Sequence, residues 1–271
     1  MSKTSIGAAS AAGLILWAGA LCAQTSPENI VVPLSRPADV MTLNIDLMSS
    51  RIEVIGEDRK DAQLSITMLA GERRIKTPSG VKALTGGAGA LEVQERDNVI
   101  TVDSDMPMVK AAIVVRVPRR ANLMLSTVHD GEIVVRDVTG TLQLENVDGP
   151  ITATNINGAV IAESVSNAIN VGFSAISTSE ATALSSISGD IKLTLPANGG
   201  AELRLDSAEG QIDSDFELDL KPSKPSVVRN EGRNGVSVRV EDVVVANVNG
   251  GGPVIKLKTL NGNIRILKAG K

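Results

Sequence analysis

Four carboxylates stand at every second position, from Asp213 through Asp215 and Glu217 to Asp219. On an extended chain this spacing puts all four on one face. They would form a solvated acidic face or, with a neighbouring strand, a weak cation site. Calcium asks for about six to eight converging oxygens. A straight strand spreads its carboxylates along its length, so the solvated face is expected. His129 is the single histidine. One imidazole supplies neither a His-rich metal site nor a second base for a serine triad, and a rim position is expected for it. Arg116, Arg119 and Arg120 cluster, and Asp148 and Asp190 stand beside glycines. A polysaccharide-cleaving site would need acids paired across a groove, and no spacing here pairs them. The stretch VNGGGP (248–253) is glycine-rich but lacks the following helical pattern of a phosphate-cradling loop. No catalytic, metal-binding or cofactor-binding residue is assigned, no cofactor is expected, and the expectation is a protein that is not an enzyme.

The elements that would position these groups follow a nine-residue repeat. Residues 129–171 read HDGEIVVRD, VTGTLQLEN, VDGPITATN, INGAVIAES and VSNAINV. Glycine recurs at Gly131, Gly140, Gly149 and Gly158, and Asn167 stands where the next is due. Two positions before these slots come Val138, Val147, Ile156 and Val165. Two after come Ile133, Leu142, Ile151, Val160 and Ile169, and four after come Val135, Leu144, Ala153, Ala162 and Val171. Polar residues fill the gaps, so the period is that of a half-buried strand. The three aliphatic positions are expected to face a core. The glycine slots are expected to be corners in the left-handed conformation, which glycine and then asparagine tolerate best. The motif returns at Gly189, Gly210 and Gly262, in ISGDIKL, AEGQIDS and LNGNIRI. Three buried aliphatic side chains do not offset the ordering of nine backbones, so the units must stack and must be capped. The expected fold is all-β: a β-solenoid (β-helix) of short strands, about 18 residues per turn if two nonapeptides make one coil, with a β-rich N-terminal cap.

Residues 1–23 have the pattern of a signal peptide: Lys3, the apolar GAASAAGLILWAGAL, and a small-residue cleavage site before Gln24. The apolar run is short for a transmembrane helix and no second run follows. Cys22, the single cysteine, rules out an internal disulfide. It also raises the question of lipidation, although Leu21 replaces the small residue a lipobox wants. Residues 24–36 read as a polar linker. Residues 40–118 alternate over VMTLNIDL, RIEVIG, AQLSITML, ALEVQE, NVITVDS and AAIVVRVP, with loops at 71–80 and 84–90, and make a β-rich region or cap within 24–118. Residues 119–271 carry the repeat, which can be continuous with 40–118. KPSKPS (221–226) and RNEGRNG (229–235) read as loops, and VSVRVEDVVVANV (236–248) as strand. Lys268 and Lys271 are expected to guard the edge of a last coil.

The formal net charge of −4 does not suggest nucleic acid as a partner. Aromatics amount to 1%, namely Trp17, Phe173 and Phe216, so the large anchors common in tight interfaces are missing.

The stretches IVVRVPRRANLMLSTVHDGEIVV (113–135), the glycine-nine run, SGDIKLTLP (188–196) and GGGPVIKLKTLNGNIRILK (250–268) resemble the bacterial putative-adhesin β-solenoid family of unknown function, related to autotransporter adhesin heads. The resemblance implies an exported, non-enzymatic protein of the envelope or cell surface, periplasmic or extracellular, whose partner is an unknown protein or envelope component. A periplasmic envelope-sensing or ligand-binding module is the second expectation, and a polysaccharide-acting β-helix enzyme the third.

Overall fold

Alternation of aliphatic and polar residues makes strands wherever it runs, and the inward side chains decide how they assemble. The computed structural model describes residues 27–69, 91–104, 110–176, 181–222, 226–232, 235–241 and 243–270. The expected signal segment 1–23 and the expected loops at 71–80 and 84–90 lie outside them. The described residues are all β, with no helix, in two large mixed sheets and one hairpin. Strands are numbered along the chain. Across the first sheet they run β1 (Glu28–Pro33), β4 (Asp61–Met68), β7 (Lys110–Pro118), β3 (Ser49–Glu57), β9 (Ile133–Arg136), β11 (Ile151–Asn157), β13 (Ile169–Ala175), β15 (Ile191–Leu195), β23 (Ile264–Lys268) and β17 (Ile212–Ser214). Across the second they run β5 (Glu92–Arg96), β6 (Val99–Asp103), β2 (Met41–Leu47), β8 (Ala121–Thr127), β10 (Leu142–Asn146), β12 (Val160–Ser164), β14 (Thr182–Ser186), β22 (Val254–Thr259), β16 (Ala201–Ser207), β21 (Val244–Val248) and β18 (Asp219–Lys221). The hairpin pairs β19 (Ser226–Gly232) with β20 (Gly235–Glu241). β1 lies within the expected linker, and Arg229–Gly232, expected as loop, belongs to β19.

From β8 to β15 successive strands alternate between the two sheets, so two strands make one rung. Parallel partners lie eighteen positions apart in the regular repeat: Leu142 opposite Val160, Ile133 opposite Ile151 and Ile151 opposite Ile169. This register stacks one residue type on itself. Ile113, Ile52, Ile133, Ile151, Ile169, Ile191 and Ile264 form one buried line across seven strands of the first sheet. β-Branched side chains have few rotamers to lose on a pleated surface. The inner faces of both sheets contribute to one aliphatic core.

The corners between the sheets are of two kinds. Where the chain leaves the first sheet, Asp137 and Asn155 take the left-handed conformation, with φ of 60° and 57°. That reversal interrupts the alternation and turns Val138 and Ile156 inward, both fully buried. Where the chain leaves the second sheet, alternation continues. Asn146 and Ser164 are buried, so the next residues, Val147 and Val165, point outward and are 41% and 39% exposed. The expectation that all residues two before a glycine slot face the core holds at one corner and fails at the other. Of the expected slots, Gly140 and Gly158 have positive φ, 156° and 141°, whereas Gly131, Gly149, Asn167, Gly189, Gly210 and Gly262 are not among the positive-φ residues. At Gly149 the need is close approach. A Cβ there would fall on the carbonyl oxygen of Gly131, one rung back.

Polar side chains at the ends of second-sheet strands, all buried except the half-buried Ser207, fasten this corner. Thr127 Oγ1 donates to the Ser50 carbonyl (3.3 Å), Asn146 Nδ2 to that of Gly131 (3.1 Å), Thr259 Oγ1 to that of Gly189 (3.0 Å) and Ser207 Oγ to that of Gly262 (3.0 Å). Each bond reaches back one rung. The pattern breaks at Asn167, where Ser164 Oγ accepts from the Asn167 N–H (3.3 Å) and the buried Ser186 Oγ has no partner among the described residues.

Chain order and stacking order differ at both ends. The rung of β2 and β3 sits between the strands β6 and β7 and the strands β8 and β9. The rung of β22 and β23 sits between that of β14 and β15 and that of β16 and β17. Lys268 was expected at an edge. It lies in an interior strand instead, with its Nζ 5.5 Å from the Phe216 ring centroid. Antiparallel strands flank the parallel middle: β4 and β1 beyond β7, β5 beyond β6, and β21 and β18 beyond β16.

Two outcomes are expected. Gly149→Val will lower stability by about 3 kcal/mol or more, because backbone, not a yielding side chain, blocks the new atoms; a denaturation curve superimposable on the parent would remove the close-approach account. Ending the chain after residue 249 takes the shared neighbour away from β14–β15 and β16–β17. Limited proteolysis of that variant is expected to cut between 196 and 249 well before the rest, and uniform resistance would contradict the observed stacking order.

Candidate functional site

The outer face of the first sheet holds a depression where β11, β13 and β15 lie side by side. In register, Thr152, Asn170 and Lys192 form one outward row, and Gly172 pairs with Thr194 in the next. Between the pairs Ala153–Val171 and Ile156–Phe173, β11 carries two residues, Thr154 and Asn155, opposite the single Gly172. This bulge forms because Asn155 is left-handed, and it re-aims both side chains outward. Asn155 also donates its amide to the Asp137 carboxylate, and Ser174 Oγ donates to the Ile156 carbonyl (3.2 Å). The hollow has a volume of about 640 Å³, within the usual span of ligand clefts.

Gly172 opens its floor, and packing does not require a glycine there. A Cβ would meet the Thr194 Cβ at 3.7 Å and the Ala153 carbonyl oxygen at 3.9 Å, ordinary contacts, and φ is not positive. The side chains of Thr152, Thr154, Asn170, Lys192 and Thr194 have no hydrogen-bond or ion-pair partner among the described residues. Hydroxyls, an amide and one ammonium can bond a ligand, while most of the exposed surface of the hollow, which Pro196 and Ala269 also line, is apolar. Among the described residues lining the hollow there is no carboxylate and no imidazole to move a proton.

The residues with chemical potential in the sequence lie elsewhere, and most have structural partners. Asp213 is in β17 of the first sheet and Asp219 in β18 of the second, so the four acids do not share a strand face; the chain turns between them as Phe216 and Leu218 pack against the core. Asp215 Oδ2 accepts from the Lys268 N–H at 3.3 Å. His129 is exposed at a corner, its N–H donating to the Met48 carbonyl at 2.7 Å. Arg116 pairs with Glu57 (3.1 Å) and Arg119 with Asp58 (3.2 Å), while Arg120 is exposed. Asp148 accepts from Asn167 Nδ2 (3.5 Å), and Asp190 from the backbone N–H (2.8 Å) and Nδ2 (3.2 Å) of Asn263. These bonds tie corners of adjacent rungs. In VNGGGP the backbone from Asn249 to Gly251 is left-handed, with φ of 48°, 85° and 90°, and Asn249 Nδ2 donates to the carbonyls of Ala197 (3.1 Å) and Gly199 (2.9 Å). Among the described residues no group of three or more His, Cys, Asp or Glu could hold a metal ion. No helix among them is long and apolar enough to cross a membrane.

Two large mixed β-sheets with a hollow on one outer face define the class of molecule, an all-β protein. No family model and no curated protein matches the chain. Among solved structures it is similar to a putative cell adhesion protein from Clostridium sporogenes, at 10% identity and a TM-score of 0.45, over 89% of this chain and 99% of that one. It is also similar to a putative adhesin from Bacteroides fragilis, at 11% identity and a TM-score of 0.37, over 89% and 96%. A putative adhesin from Parabacteroides distasonis follows, at 9% identity and a TM-score of 0.29, over 89% and 97%. Identities this low and TM-scores below one half leave the role of this chain to be argued from its own residues.

Three carboxyls depart from their usual acidity. Burial raises that of Glu28. Hydrogen bonds from Lys221 (2.7 Å) and Arg204 (3.0 Å) lower that of Glu202. At Glu95 partial burial pushes upward. It is outweighed by hydrogen bonds from the N–H (3.0 Å) and Oγ (2.9 Å) of Ser35 and the N–H of Asn98 (3.0 Å), and by the Arg36 charge, so the carboxyl is held below its usual range. Glu95 thus pins residues 35–36 to the turn between β5 and β6. A lowered folded-state value stabilises above the unfolded value, near pH 4.3, and that stability is lost as pH falls through the folded value. Glu95→Gln is expected to remove this acid-side dependence and to cost less than about 1 kcal/mol at neutral pH, because the group is largely solvated. Matched unfolding curves at pH 7 and at pH 3 test it; an equal gap between parent and variant at both would be the contrary result.

Proposed function

We propose that the chain is an exported, adhesin-like β-solenoid that acts by non-covalent contact, presenting the outer faces of its stacked rungs to an envelope or surface partner. The observation that carries this reading is the hollow over Gly172, where polar side chains without partners face solvent together and no proton-transfer pair accompanies them. The eighteen-residue register, with two nonapeptides passing once through both sheets, supports the solenoid. The use of Asp148, Asp190 and Asp215 as acceptors in the stack supports a non-catalytic role. The charged start and apolar stretch of residues 1–23 support export.

Fractionation of bacteria producing the tagged chain tests the reading. A product beginning at Gln24 in the periplasmic, surface or culture fraction, retained on isolated envelopes in a pull-down, is the expected result. An unprocessed cytoplasmic product would overturn export. Release of new reducing ends from a polysaccharide panel would overturn the non-catalytic role.

A further inference from the structure

We propose that the hollow between β11, β13 and β15 is a binding site for an acidic oligosaccharide, with a sugar ring over Gly172 and its carboxylate on Lys192. The inference rests on the contact-protein reading and adds a ligand class to it. Gly172 is the first reason. Gly149 and its counterparts at the corners are held to glycine by a facing backbone, whereas Gly172 has room for a side chain and lacks one. The missing side chain is what gives the face its depth. The second reason is the kind of polarity around it. Thr152, Thr154 and Thr194 offer hydroxyls that both donate and accept, and Asn170 offers an amide that does the same. Strands are about 4.8 Å apart and like-facing residues about 7 Å apart along a strand, so these groups form a two-dimensional grid. A polyhydroxylated ring offers hydroxyls to such a grid in the same two roles.

The third reason is charge. Lys192 is the charged residue among the described residues lining the hollow, and it has no ion-pair partner among them. Its register neighbour on β23 is Arg265, also without one, and Asp213 follows on β17. Two adjacent cations beside a hollow that sets threonine hydroxyls around a mostly apolar surface, in a chain of net charge −4, favour a ligand with one anionic group, many hydroxyls and an apolar ring face. Other occupants fit less well. β11, β13 and β15 are each paired on both sides, so no edge is open to a peptide strand. One or two cations are too few for a nucleic-acid backbone.

The test is titration of the purified full chain with trigalacturonate, followed by NMR or calorimetry, with maltotriose as the neutral comparison. Gly172→Leu fills the floor without touching the core. Lys192→Met removes the cation. Lys256→Met, on the outer face of the second sheet, is the control, and thermal melting establishes that each variant is folded. Expected are saturable binding of trigalacturonate, at least fivefold weaker binding of maltotriose, and at least tenfold weakening by either hollow variant with none from the control. Absence of saturable binding, or binding untouched by Gly172→Leu in a folded variant, overturns the site. Equal binding of both sugars, or indifference to Lys192→Met, overturns the acidic class. These failures would leave export and processing intact, whereas a cytoplasmic unprocessed chain that still bound the sugar through this hollow would overturn export alone.

Discussion

The architecture depends on how closely one rung can lie on the next at the corner where the chain leaves the second sheet. There the backbone at Gly149 rests on the carbonyl oxygen of Gly131 with no space for a Cβ, and Asn146 donates to that same oxygen. Steric permission and hydrogen bonding act on one atom. Only with the rungs this close can parallel strands keep their ladder bonds from end to end and hold Ile133, Ile151 and Ile169 in one buried line. Asn167 is the exception that shows the rule. A side chain in the glycine slot coincides with the place where the reaching-back bonds lapse and Ser186 Oγ is left alone.

Much of this was legible in the residues. A nine-residue period with aliphatic residues two and four after the glycine places Ile151, Val160, Ile169 and Val171 in a core, and all four are buried. What the period conceals is that alternate nonapeptides differ. Val138 and Val147 look equivalent in the sequence, yet one is enclosed and the other is 41% exposed, because a single left-handed residue at Asp137 changes which way its successor points. A periodic pattern reports spacing and does not report handedness at one backbone position. The acids from 213 to 219 were misjudged for a related reason. Period-two spacing implies one strand only if the chain stays straight, and here it turns around Phe216 and crosses to the other sheet.

The hollow had no signal in the sequence. It requires three strands, drawn from positions 151 to 195, to lie side by side with Gly172 in the middle one, in the region where the nonapeptide loosens. Parallel partners there are twenty-two positions apart instead of eighteen, as Ile169 opposite Ile191 shows, so no fixed period brings Asn170 and Lys192 together on paper. The threading of residues 254–268 between two earlier rungs is invisible for the same reason. Stacking order is a long-range property, and like rungs offer nearly the same partners to one another.

The last strand, β23, enters the stack between β15 and β17, away from its tip, whereas the first strand, β1, is itself an edge of the first sheet. A parallel stack with a free terminal rung can be lengthened by adding sequence to either terminus. Here β23 is paired on both sides, with β15 and with β17, so no ladder is open beside it. A taller molecule can be made by duplicating paired nonapeptides inside residues 129–171, where an eighteen-residue insertion preserves the register on both sides. The span of the parallel middle is therefore set by the number of central repeats, much as a ruler is graduated between its end stops.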